Sequence, residues 1–134
     1  VGNYTADNMH PLTLAFLGDA SYAVCIRRHL IEAEPYLKPD QLHRKANKLV
    51  SARAQSEALL YLKREGFLTD REWHIAKRAR NKSSATRAKN ATIKEYRNAS
   101  GLEALIGYLD LTEDRGRMGA LMEEITRMRR DDSE

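Results

Sequence analysis

Apolar residues recur at helical spacing along most of the chain, and nowhere do they alternate at a period of two. Residues 12–30 carry the clearest stripe, with Leu12, Ala15 beside Phe16, Tyr22 beside Ala23, Ile26 and Leu30 on one face. Pro11 suits the start of this first helix, which is expected to run to about Glu34. Pro35 and Pro39 then break the chain, and Asp40 is a natural cap for a long second helix over 41–64, stopped by Gly66. Thr69 or Asp70 opens a third helix through Trp73, Ile75 and Ala76, with Trp73 as a core anchor. Residues 81–91 have no apolar period and read as a loop, followed by a short helical turn over 92–97. Ser100 then caps a helix over 101–111, and Thr112 opens a last amphipathic helix through Met118, Leu121, Ile125 and Met128. The expectation is an all-α fold, a compact helical bundle forming one domain over 1–134, with a flexible arm at 1–9 and a charged tail at 129–134.

One residue breaks the first stripe. Asp19 falls in its middle, and burying an ionised carboxylate costs several kcal/mol unless a cation, a set of donors or a proton meets it. Glu103 is a second acid in an apolar run, LEALIG. It has an ordinary explanation as the third residue of a capping box opened by Ser100. Both acids also have a glycine nearby, Gly18 beside Asp19 and Gly107 one turn after Glu103. Two helices crossing at glycines could bring the carboxylates within a few ångströms, where each raises the pKa of the other unless a cation lies between them. Oxygen-only ligands suit Mg²⁺, or Mn²⁺ in its place, and Mg²⁺ beside bound phosphate supports metal-assisted phosphodiester chemistry.

Composition changes this picture in one respect. A net charge of +4 and a pI near 9.3 say little alone, but Lys77, Arg78, Arg80, Lys82, Arg87, Lys89, Lys94 and Arg97 crowd one segment against only Glu95. Such density is the footprint of a polyanion such as nucleic acid, and equally of a solvated, solubilising loop. No run of eighteen apolar residues is present, so no membrane partner is expected, and a lone Cys25 suits the cytoplasm. Cys25 reads as a small core residue, and the four histidines have no ligand spacing.

LAFLGDASY and LEALIGYL resemble the signature helix and the second acidic motif of the ribonuclease III family. The intervening QLHRKANKLVSARAQ and RARN…KN…YR, at matching intervals, are similar to its Mini-III branch, which keeps the nuclease domain without a double-stranded-RNA-binding domain. The resemblance spans roughly 12–111 and implies a ribonuclease III-type, all-helical endonuclease domain acting as a homodimer. It implies Mg²⁺-dependent hydrolysis of double-stranded or structured RNA to 5′-phosphate products, with ribosomal RNA precursors as the expected substrate. Asp19 and Glu103 match the metal-binding, catalytic acids, and Phe16 matches a dimer contact. Lys77 and Arg78 of the basic run, with Arg80, Asn81, Lys82, Arg87, Lys89, Asn90 and Arg97, fall at or near the RNA; His43 would support the site indirectly.

This chain also departs from full-length ribonuclease III. Leu12 and Ala15 stand where that enzyme has glutamates, and Ser100 where it has an aspartate. The reduced acid set is the ground for the alternative reading, a non-catalytic ribonuclease III-like RNA-binding or ribosome-associated module.

Overall fold

The computed structural model describes residues 5–83 and 91–133 and contains six α-helices, with no strand among the described residues. They are α1 (Pro11–Ala33), α2 (Pro39–Val50), α3 (Ala52–Arg64), α4 (Asp70–Lys82), α5 (Ile93–Leu111) and α6 (Arg115–Ser133). The all-α expectation is met.

Helix α5 is the centre of the bundle. Asn98 to Gly107 is buried almost continuously, Glu103 alone being partly exposed, and an apolar surface of that width must be covered on several sides. α1, α3, α4 and α6 cover it, the α1–α5 contact being the most extensive. Tyr22, Ile26 and Leu30 of α1 meet Leu59 and Leu62 of α3, Leu102, Leu105 and Ile106 of α5, and Leu121, Ile125 and Met128 of α6. Each fully buried Leu or Ile contributes about 1.5–3 kcal/mol relative to exposure. Trp73 packs partly buried against this core, as its place in the pattern suggests.

Several boundaries differ from the expectation. The segment 41–64 is two helices, because Ser51 leaves helical geometry (φ −62°, ψ 156°) and caps α3 by accepting from the Ala54 amide at 3.1 Å. α2 begins at Pro39 after Lys38 and so is not capped by Asp40. The segments 92–97 and 101–111 are one helix, started by a Thr92/Glu95 capping box, so Ser100 and Glu103 lie in its interior. Glu103 is therefore not a capping residue. Thr112 ends α5, and Glu113 takes a left-handed turn (φ 58°) before Asp114 accepts from the Arg117 amide at 3.1 Å.

The described parts of the arm and tail, from Thr5 onward and through Arg130, are tied down further than their sequence suggests. Tyr108 donates to Asp7 at 2.8 Å while Arg71 pairs with Asp7, and His10 Nδ1 accepts from the Leu12 amide at 3.1 Å. α6 continues beyond Met128, and Arg129 grips Glu57 at 2.8 Å and the Ala54 carbonyl at 2.7 Å. Gly66, with φ 72°, closes α3 as its position implies.

Candidate active site

α1 and α5 cross with their backbones in contact. A Cβ on Gly18 would lie 1.6 Å from the carbonyl oxygen of Glu103, and one on Gly107 would lie 1.9 Å from that of Leu14. No other residue type fits at either position without parting the helices. Asp19 follows the first glycine and Glu103 precedes the second by one turn, so the crossing that requires the glycines also sets the two acids face to face. Their carboxyls come within hydrogen-bonding reach.

Asp19 is exposed, however, and does not lie in the core stripe. The buried face of α1 is Leu14, Ala15, Gly18, Tyr22, Ile26 and Leu30, rotated from the stripe that a count of large apolar residues suggests. Gly18 adds no hydrophobic signal, yet it is buried because another backbone lies on it. Asp19 thus flanks the contact with α5 and reaches solvent. Phe16, placed on the stripe by pattern, is 84% exposed.

Glu103 is the more confined acid. Burial, and then the charge of Asp19, push its carboxyl up to about 8, opposed by a donor from Gln55. Gln55 Nε2 donates to Glu103 Oε2 at 3.1 Å and to the Val50 carbonyl at 3.0 Å, while its Oε1 is buried without a hydrogen-bond partner among the described residues. Sequence reasoning missed Gln55, although the signal is of the kind that exposed Asp19: a polar residue among Ala54, Ala58 and Leu59 on a buried helix face.

No group of three or more His, Cys, Asp or Glu residues converges among the described residues. Ala15 is buried, Leu12 is partly buried, and the Ser100 hydroxyl donates to the Tyr96 carbonyl at 3.2 Å and approaches Ser83 Oγ at 3.5 Å. The three positions that lack acids therefore add none by another route. A hard divalent cation nevertheless fits what is present, since the oxygens of Asp19 and Glu103 converge, and burial together with the Asp19 charge holds Glu103 in a state that a cation would reverse.

A basic surface lies at the α4–α5 junction. Arg80 and Asn81 at the end of α4 share a cleft with Ile93, Lys94, Arg97 and Asn98 of α5. Arg80 also sits over the Trp73 ring, 5.2 Å from its centroid. Lys77, Arg78 and Lys82 are exposed along α4, and none of these cations is ion-paired to a described residue. Arg87, Lys89 and Asn90 lie outside the described residues. His43 faces a different cleft, with Arg27, Leu30, Ile31, Pro39, Leu42 and Ala46, and has no contact with either acid there. The Cys25 thiol lies partly buried against Met118 Sδ at 3.7 Å, in keeping with a packing role.

A family model described as the ribonuclease III domain matches residues 12–114. The chain is 48% identical over 115 residues to a Mini-ribonuclease 3 of Brevibacillus brevis, covering 86% of this chain and 84% of that one. It is 46% identical over 111 residues to a Mini-ribonuclease 3 of Streptococcus pneumoniae, covering 83% and 86%. Among solved structures, a crystal structure of a Fusobacterium nucleatum protein superposes with a TM-score of 0.79 at 26% identity, over 91% of this chain and 95% of that one.

Proposed function

The chain belongs to the ribonuclease III family, in its Mini-III branch, and is an endoribonuclease; on that premise we propose that Asp19 and Glu103 are its catalytic acids and jointly hold Mg²⁺. The family is generally divalent-metal dependent and acts on double-stranded RNA, generally as dimers. The substrate we assign to this chain is structured RNA, with ribosomal RNA precursors as the natural target and the cytoplasm as the location. No helix among the described residues is long and apolar enough to cross a membrane.

The observation that carries this reading is the glycine-bound crossing that sets Asp19 against Glu103. When bound there, Mg²⁺ or Mn²⁺ supplies the positive charge that offsets developing negative charge on the phosphate and lowers the pKa of the attacking water. Asp19, at the solvent edge, is the carboxylate that incoming RNA reaches first; it orients the water in line with the scissile bond. Glu103, fixed from behind by Gln55, completes the ligand set and does not swing with the substrate. Hydrolysis breaks the bond between phosphorus and the 3′-oxygen, leaving a 5′-phosphate and a 3′-hydroxyl. Arg80, Lys82 and Arg97, with Lys77, Arg78 and Asn81, hold the backbone by its phosphates, which suits an A-form duplex that exposes phosphates and 2′-hydroxyls more readily than base edges. Arg87, Lys89 and Asn90 are assigned to the same surface on sequence grounds.

The test is cleavage of double-stranded RNA in Mg²⁺ and in EDTA by the native chain and by Asp19→Asn. Cutting in Mg²⁺ alone, lost in the variant while RNA binding and the melting temperature persist, is the expected result. Wild-type cutting by Asp19→Asn would remove Asp19 from the chemistry, and cutting in EDTA would remove the cation.

A further inference from the structure

Gln55 lies in the first turn of α3, just after Ser51, the single residue that joins α2 to α3. The Val50 carbonyl, at the end of α2, is among those left without a partner inside a helix, and the Gln55 amide caps it at 3.0 Å. That contact fixes which way the amide faces, because only the NH₂ end can meet a carbonyl oxygen. With one N–H so committed, the other is delivered to Glu103 Oε2 at 3.1 Å. The side chain is 3% exposed, so its rotamer is held by packing. Its own Oε1 is left buried without a partner among the described residues, an arrangement that a capping role alone does not require.

Resting on the assignment of Glu103 as a metal ligand, we propose that Gln55 is a positioning residue: its amide occupies Oε2 of Glu103, leaving Oε1 as the oxygen offered to the cation. A carboxylate anchored at one oxygen binds through the other without losing rotamer freedom as it does so. The same contact ties the carboxylate to the α2–α3 joint, so three elements fix its place: α5 carries it, α1 supplies Asp19 opposite, and α3 holds it from behind. Partners of this kind, hydrogen-bonded to a ligand, are typically worth about 10–100-fold in metal affinity.

Gln55→Met keeps the volume and the unbranched shape while removing both donors. Mn²⁺ binding is measured by calorimetry on the full chain without RNA, beside the Mg²⁺ dependence of cleavage. The expected result is a Kd for Mn²⁺ and a half-saturating Mg²⁺ concentration both raised about tenfold or more, with kcat at saturating Mg²⁺ and KM for RNA little changed. A structural role alone would lower the melting temperature and leave the Mn²⁺ Kd of the folded fraction where it was. If the wild type binds Mn²⁺ and Gln55→Met binds it equally well, the positioning role is overturned and the nuclease assignment stands. If the wild type binds none, both fall. Should Gln55→Met fail to fold, the wild-type side-chain amide serves instead. Its two N–H resonances are expected to shift in step with Mg²⁺ saturation, and resonances unmoved at saturation would overturn the proposal.

Discussion

Gly18 lies flat against the backbone of Glu103, so close that a single added methyl carbon would sit 1.6 Å from the Glu103 carbonyl oxygen. The acid and the packing device are thus the same segment of α5. Whatever keeps α1 and α5 in register also keeps Asp19 and Glu103 opposed, so stability and the proposed chemistry share one contact.

Gly18→Ala and Gly107→Ala are therefore expected to be severe. Overlap with backbone cannot be relieved by a rotamer change, so the helices must separate, at a cost above the roughly 1–3 kcal/mol of ordinary overpacking. Gly119, in the interior of α6, has nothing within 4 Å of the same added atom. Its replacement by Ala is expected to stabilise by about 0.5–1 kcal/mol. Denaturant melts of the three variants check this, with cleavage assays expected to show loss for the first two alone.

Metal-free protein is expected to lose stability between about pH 5 and 8. Burial and the Asp19 charge hold Glu103 protonated up to about 8, against an ordinary value of 4.5. In that window the folded chain keeps a proton the unfolded chain has released, so unfolding becomes easier as pH rises, by an amount of the order of a few kcal/mol. A divalent cation favours the charged form and flattens the slope, and Glu103→Gln removes it. Thermal melts in EDTA and in Mg²⁺ at both ends of the window measure the difference; equal slopes for wild type and Glu103→Gln would assign the effect elsewhere.

The helices were legible because Leu, Ile and Met recur at their period, and the acids because charge interrupts it. What was not legible follows from contacts the pattern does not contain. Gly18 is buried by another backbone, so the stripe on α1 is rotated and Asp19 sits at its edge. Ser51 breaks a helix by taking extended geometry that its residue type does not demand. Ser100 looks like a cap, but Thr92 and Glu95 start the helix two turns earlier, and Glu103 loses its ordinary explanation. Gln55 was visible as an anomaly, but its partner is 48 residues away.

Glu72 secures α6 to the start of α4. Its carboxylate accepts from the Thr69 amide at 2.9 Å and from Arg117 at 2.7 and 2.8 Å; burial raises its pKa, but Arg117 and Thr69 outweigh that and hold it below the usual carboxylate range. Glu72→Ala removes half of a capping box and takes the carboxylate from a partly buried guanidinium that still donates to the Phe67 carbonyl, and is expected to cost about 1–3 kcal/mol. Being held low, the carboxylate contributes stability that is complete above its unfolded pKa and lost as pH falls through the folded one. Urea melts at pH 7 and pH 3 should show the gap between Glu72→Ala and wild type closing in acid.

Arg80 and Arg97 reach one cleft from two helices, which makes them a compact test of the proposed RNA surface. Replacing both by Ala should weaken binding to duplex RNA of any sequence and reduce the slope of log affinity against log salt by up to about two. Filter binding across a salt series measures it. An unchanged slope would take the cleft out of the interface.

Phe16 is expected to hold two copies together. It is 84% exposed and shares a face of α1 with Val24 and Ile31, which are 53% and 54% exposed. A single exposed Phe is unremarkable; three large apolar side chains on one helical stripe are a surface in want of cover. That stripe flanks Asp19, so a second copy laid along it would set two acid pairs on either side of the joint, as cutting both strands of a duplex requires. Phe16→Glu places a charge where the two copies meet and is expected to yield monomers with an unchanged helical signal and little cleavage of duplex RNA. Sedimentation equilibrium at micromolar concentration reads the outcome. A wild-type chain that is monomeric there while it cleaves both strands would exclude this face from assembly.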